Sequence, residues 1–112
     1  LLTTDGVVAA RDPHFFPEQN LPHHRPDALL LFEADEPDHV EDVAGYADAK
    51  LAALHSHTSQ LLSTMHIDAG ASPAEADRQR QAFDDRTRAK LAEHGALGGA
   101  AEGEAFKLIS NL

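Results

Sequence analysis

The stretch from Ala28 to Gln60, ALLLFEADEPDHVEDVAGYADAKLAALHSHTSQ, constrains the fold of this chain more than any other. It opens on Ala28-Leu29-Leu30-Leu31-Phe32, a run without a polar residue, which predicts a strand buried on both faces, the usual environment of a parallel sheet in an α/β protein. An acidic turn from Glu33 to Asp38 leads into a second strand, His39 to Val43, that alternates with period two. The turn then sits at the carboxyl end of the first strand, where open α/β sheets bind ligands. From about Ala44 to Met65 the residues Ala47, Leu51, Leu54, Thr58, Leu61 and Met65 recur every three or four. That spacing predicts one long amphipathic helix, 44–65, with its stripe on the sheet and Asp48, His55 and Ser59 on the opposite face.

The flanks extend the pattern over 1–112, which reads as part of a single α/β domain, short strands covered by amphipathic helices. Gly6-Val7-Val8-Ala9-Ala10 reads as the end of a helix or a strand. Four prolines between Asp12 and Asp27 fix φ and remove donors, so 12–27 is a loop. Ser72-Pro73-Ala74-Glu75 has a helix-start signature, and the helix it begins, 72–94, is expected to end before Gly95. Phe83 and Leu91 are its only large apolar residues, so it should lie on the surface against the first helix or against a part of the protein outside these residues. Gly98-Gly99 reads as a hinge or cap, and Gly103 to Ile109 as a last short element.

Leu, Ile, Val and Phe together number 25 of 112 residues, close to the ~20% below which charged chains tend to be disordered. The core is therefore expected to be thin. A net charge of −10, from 19 acidic and 9 basic side chains, argues against nucleic acid and against an anionic membrane surface as partners. With no Cys there is no disulfide framework and no thiolate nucleophile, which is compatible with a cytoplasmic location. No apolar run reaches the ~18 residues of a membrane span. The chain begins Leu1-Leu2-Thr3-Thr4 without Met, which suits a segment of a longer protein.

Eight histidines invite a metal, but their spacing does not assemble one. His55 and His57, two apart on the expected helix, point ~200° apart, whereas helical ligand pairs need a spacing of three or four. His23 and His24 diverge in the loop beside the cation of Arg25. His66 and His94 fall near expected helix C-termini, where an imidazolium is favoured by the macrodipole. Glu33, Asp35, Glu36, Asp38, Glu41 and Asp42 form an acidic loop that lacks the ligand pattern and central Gly of a calcium hand, and it reads as a solvated loop or the polar rim of a pocket. Neither a G-x-S-x-G elbow nor a glycine-rich phosphate loop is present.

Three segments, in order, carry a resemblance: A-A-R-D-P-H-F-F-P-E from Ala9, L-L-F-E-A-D-E-P-D-H-V-E-D-V from Leu30, and K-L-A-A-L-H-S-H-T-S-Q from Lys50. They resemble the C-terminal part of the PIG-L (LmbE-like) family of zinc-dependent N-deacetylases. The resemblance implies a Rossmann-like fold and removal of an acetyl group from an N-acetylated amino sugar or its conjugate. It also implies zinc held by two His and an Asp, supplied by A-H-P-D-D and H-P-D-H motifs that these residues do not contain. Zinc thus belongs to the complete parent protein, no catalytic or metal-ligating residue is assigned here, and the chain alone is expected to be inactive. Arg11 is the one residue the resemblance marks for substrate binding, through a guanidinium fork on substrate oxygens. The competing role is an internal ion pair with Asp12 or another carboxylate. A homo-oligomer is compatible with this assignment. The alternative from a different class is a non-catalytic acidic α/β binding or oligomerisation module.

Overall fold

The computed structural model describes residues 2–112. It is a mixed α/β structure with helices α1 (Leu2–Arg11), α2 (Ala47–His55) and α3 (Pro73–Gly98) and strands β1 (Leu29–Phe32), β2 (His39–Asp42) and β3 (Gly103–Ile109). The strands form one three-stranded sheet of order β1-β3-β2. The residues fall into two compact units: His39–Ala105, and the chain up to Asp38 together with Phe106–Leu112.

In the first of these, the thin core expected from composition is a cluster of Leu51, Met65, Ile67 and Phe83, with Leu54 and Leu61 packed against it. The apolar stripe of α2 therefore meets α3 and the segment between them rather than a sheet face. The helix expected over 44–65 also stops at His55. Ser56 caps it, its backbone N–H reaching the Ala52 carbonyl and its hydroxyl donating to the Ala53 carbonyl at 2.6 Å. Ser56, His57, Thr58 and Ser59 are poor helix formers whose side chains compete for the backbone. A single 3₁₀ turn at Thr58–Gln60 follows, and the chain folds back so that Met65 and Ile67 are both buried.

The start of α3 is as its sequence predicts. Ser72 accepts a hydrogen bond from the Glu75 N–H, and Pro73 occupies the first turn, where its missing donor costs nothing. Its end is not, because the helix runs through Gly95 to Gly98 before Gly99 turns it off with φ +75°. Gly95 is there for proximity: a Cβ on it would lie 2.7 Å from the Ala100 carbonyl oxygen and 2.9 Å from the Glu102 nitrogen. Gly98 likewise makes room for Val40 of β2, whose Cβ would lie 2.6 Å from an added methyl.

In the other unit, α1 leads to the proline-rich loop, which contains one 3₁₀ turn at Pro17–Gln19 and returns to the helix end where the His24 N–H donates to the Ala10 carbonyl at 2.7 Å. β1 pairs antiparallel with the second half of β3, Leu29 opposite Ile109 and Phe32 opposite Phe106. The expected doubly buried strand of a parallel sheet is thus corrected on both counts. β1 is an edge strand, and Phe32 is 75% exposed. A continuous apolar run signals that a strand can be buried; what covers it is set by distant chain, and among the described residues only β3 flanks it.

Candidate functional site

Arg11 is the last residue of α1 and half-buried. It lines an open pocket of about 730 Å³ with Arg25, Pro26, Asp27, Ser110, Asn111 and Leu112. The loop's return to the Ala10 carbonyl carries Arg25 to the same pocket, a neighbour the sequence did not reveal. Asp12, the nearest candidate for an internal pair, instead accepts a hydrogen bond from the His14 N–H at 2.8 Å and closes a local turn. Among the described residues the ion pairs use Lys50, Arg78, Arg88 and Lys107, so Arg11 and Arg25 both face the pocket without a carboxylate partner. Two unpaired guanidiniums beside a hydroxyl, an amide and the carboxylate of Asp27 suit a ligand rich in oxygen.

The acidic turn does not converge on an ion. Asp38 accepts the Leu108 N–H at 2.9 Å and pairs with Lys107 at 2.6 Å. The Leu108 N–H first and Lys107 second hold its carboxyl below the ordinary carboxylate range. Glu41 accepts from His39 Nε2 at 2.6 Å, and Asp42 accepts from the Ala44 N–H at 2.9 Å. Three of the six carboxylates are thereby engaged in local structure. No group of three or more metal-ligating side chains assembles among the described residues.

The histidines take other roles than their spacing suggested. His55 is not on a solvent face: its Nε2–H donates to the Asp84 carboxylate at 2.7 Å, its ring meets Phe83 edge-on at 5.5 Å, and its Nδ1 is buried without a partner. His94 lies inside α3, which runs on to Gly98, and its Nδ1 accepts the Ala105 N–H at 3.3 Å. His66 lies beyond a turn rather than at a helix end, with φ 58°, on the rim of a groove in the α2–α3 unit. None of these three placements has a local signal, because each partner is set by the packing of α2, α3 and β3.

No helix among the described residues is long and apolar enough to cross a membrane. The chain matches no protein-family model, no curated protein and no solved structure.

Proposed function

We propose that this chain is the C-terminal part of a PIG-L-like, metal-dependent hydrolase that removes the acetyl group from an N-acetylated amino sugar or its conjugate, with Arg11 contacting the substrate. The observation that carries this is Arg11 itself. It stands in the A-A-R-D-P segment, and it lines a pocket with Arg25 while the neighbouring carboxylate of Asp12 is engaged elsewhere. Amide hydrolysis of such a substrate yields acetate and a free amine. Zinc, in the parent protein, would polarise the acetamide carbonyl, held by the two His and the Asp that the resemblance places in motifs outside these residues.

The exposed apolar strand supports the same reading. Leu30 and Leu31 are each 37% exposed and β1 is an edge of the sheet, which leaves a row of backbone groups open to pairing with strands of a larger sheet. A cytoplasmic enzyme acting on a small molecule, with no nucleic-acid or membrane partner and compatible with a homo-oligomer, completes the proposal.

The test is made on the full-length gene product loaded with zinc, by following acetate release from a panel of N-acetylglucosamine conjugates. Turnover is expected, and Arg11→Ala should lower kcat/KM about 10- to 100-fold, the worth of a charge-assisted hydrogen bond of ~1.5–3 kcal/mol. Arg11→Lys should recover only part of that loss, because an ammonium keeps the charge without the fork. A full-length product lacking A-H-P-D-D and H-P-D-H, or one that folds with zinc and releases no acetate, would overturn the proposal in favour of a non-catalytic module.

A further inference from the structure

The groove in the α2–α3 unit has a charge that the rest of the chain does not predict. It encloses about 340 Å³, and its lining is Lys50, Leu54, Thr64, His66, Phe83, Arg86, Thr87, Lys90 and Leu91. Three of the nine Lys and Arg of the chain line it and none of the 19 Asp and Glu does. Lys50 is neutralised by its ion pair with Glu104. Arg86 pairs with no carboxylate among the described residues; its Nη2 donates to the Met65 carbonyl at 3.4 Å, which holds the guanidinium at the groove edge. Lys90 has no ion-pair partner among the described residues, and His66 adds a third polar group on the rim.

The floor is apolar. Leu54 is half-buried, Phe83 is 9% exposed and Leu91 1%, so the base of the groove is the surface of the hydrophobic core. The helix spacing produces this arrangement. Phe83, Arg86, Thr87, Lys90 and Leu91 recur at three- and four-residue intervals, which places the two cations along the same stripe of α3 as the two apolar residues.

We propose that this groove binds a small amphiphilic anion: a compact apolar body, aromatic or short-chain acyl, seated on Leu54, Phe83 and Leu91, with a carboxylate or sulfonate between Arg86 and Lys90. Charge complementarity selects the head group, since an acid-free rim in a chain of net charge −10 attracts anions locally while the molecule as a whole repels them. Size selects the body, because the volume lies near the lower end of the ~300–1,000 Å³ of small-molecule pockets and is too small for a helix or a strand of a partner. The site is separate from the Arg11 pocket, and its binding requires neither metal nor turnover.

The probe is 2-naphthoate, titrated into the full-length protein while amide chemical shifts are followed by NMR, with 2-naphthalenemethanol as the neutral analogue. Saturable shifts are expected at Thr64, His66, Thr87 and Lys90, with the alcohol binding at least tenfold more weakly. Lys90→Glu and Arg86→Glu should each weaken naphthoate at least tenfold. Lys90→Glu, at an exposed residue with no hydrogen bond to the core among the described residues, should do so with the melting temperature unchanged, while Arg86→Glu also loses the bond to the Met65 carbonyl and should melt slightly lower. Arg80→Glu makes the same change in net charge at an exposed arginine outside the groove and should leave affinity within twofold. Equal affinity for acid and alcohol, an equal loss in Arg80→Glu, shifts confined to other residues, or a groove occluded by another segment of the full-length protein would each overturn the proposal. Acetate release without naphthoate binding, or the reverse, separates this site from the deacetylase proposal.

Discussion

Gly95→Ala sets two opposed effects against each other, and the geometry decides which wins. Replacing glycine by alanine within a helix ordinarily stabilises by ~0.5–1 kcal/mol, because alanine loses less backbone freedom. At Gly95 the added methyl would lie 2.7 Å from the Ala100 oxygen, 2.9 Å from the Glu102 nitrogen and 3.0 Å from the Ala101 carbonyl carbon. Ordinary contact begins near 3.4 Å, so the 100–102 backbone must retreat by about 0.7 Å. That segment is held by the Ala100 N–H on the Gly95 carbonyl at 2.9 Å, by the Val43 N–H on the Glu102 carbonyl at 3.1 Å and by the Gly45 N–H on the Glu102 carboxylate at 3.2 Å. Overpacking of this kind costs ~1–3 kcal/mol, and three backbone atoms in the way place it toward the upper end. The net is a loss of about 1–2 kcal/mol after the propensity gain.

The matched control is Gly6→Ala, also within a helix, where an added Cβ meets nothing within 4 Å. It should stabilise by up to ~1 kcal/mol. Thermal melts of the two variants against the parent read the difference in sign, at about 4–8 °C per kcal/mol for a domain of this size. A Gly95→Ala protein that melts at or above the parent temperature would show that α3 and the 100–102 turn are not in close contact, and would remove the reason given for the glycine.

The His55–Asp84 pair should contribute about 1 kcal/mol, reduced from the full value of a charge-assisted bond because the side chains are 19% and 27% exposed. A double-mutant cycle of His55→Ala and Asp84→Ala followed by denaturant unfolding measures it, and a coupling near zero would mean that the pair does not join α2 to α3. Asp38 gives a pH prediction. Its folded carboxyl titrates below the ordinary value of ~3.9, so its stabilisation is fully present above that value and is lost as the pH falls through the lowered folded value. A carbon-detected NMR titration of the Asp38 carboxyl should find the low midpoint, and Lys107→Met should raise it only in part, since the Leu108 N–H remains. A midpoint at or above the ordinary value would contradict the hydrogen bond.

What the sequence made legible was local chemistry. The N-terminus of α3 follows from Ser72, Pro73 and Glu75 because a cap is written in adjacent residues, and Gly103 to Ile109, read from the sequence only as a short element, is strand β3. The features that were misjudged all depend on chain far away. Gly95 looks like a helix stop because glycine often is one, yet here it admits a backbone turn five residues on. The stripe of α2 continues in sequence past His55, but burial of Met65 and Ile67 beside Phe83 bends the chain away from it. Asp84, the partner of His55, lies 29 residues along, and no spacing rule connects them. Arg11 was legible as a candidate, while Arg25 reached its pocket only through the fold of the proline-rich loop.

The distribution of cations connects these observations to function. In a chain with 19 carboxylates and 9 Lys and Arg, a basic side chain placed without regard to ligands finds an acidic neighbour easily. Lys50, Arg78, Arg88 and Lys107 have done so. Of the five Lys and Arg without a carboxylate partner among the described residues, Arg11 and Arg25 line one pocket, Arg86 and Lys90 line another, and Arg80 lines neither of these two. An exposed ion pair is worth only ~0–1 kcal/mol, so leaving four cations unpaired costs the fold little and leaves their donors available. The two pockets then differ in what they suit. The Arg11 pocket includes Asp27, Ser110 and Asn111, groups that accept from and donate to hydroxyls, as a sugar requires. The Arg86 and Lys90 groove has no carboxylate in its lining and an apolar floor, so it suits an amphiphilic acid, whose apolar body covers that floor, better than a sugar. The surplus of acid over the rest of the chain therefore makes each of these two exceptions electrostatically distinct.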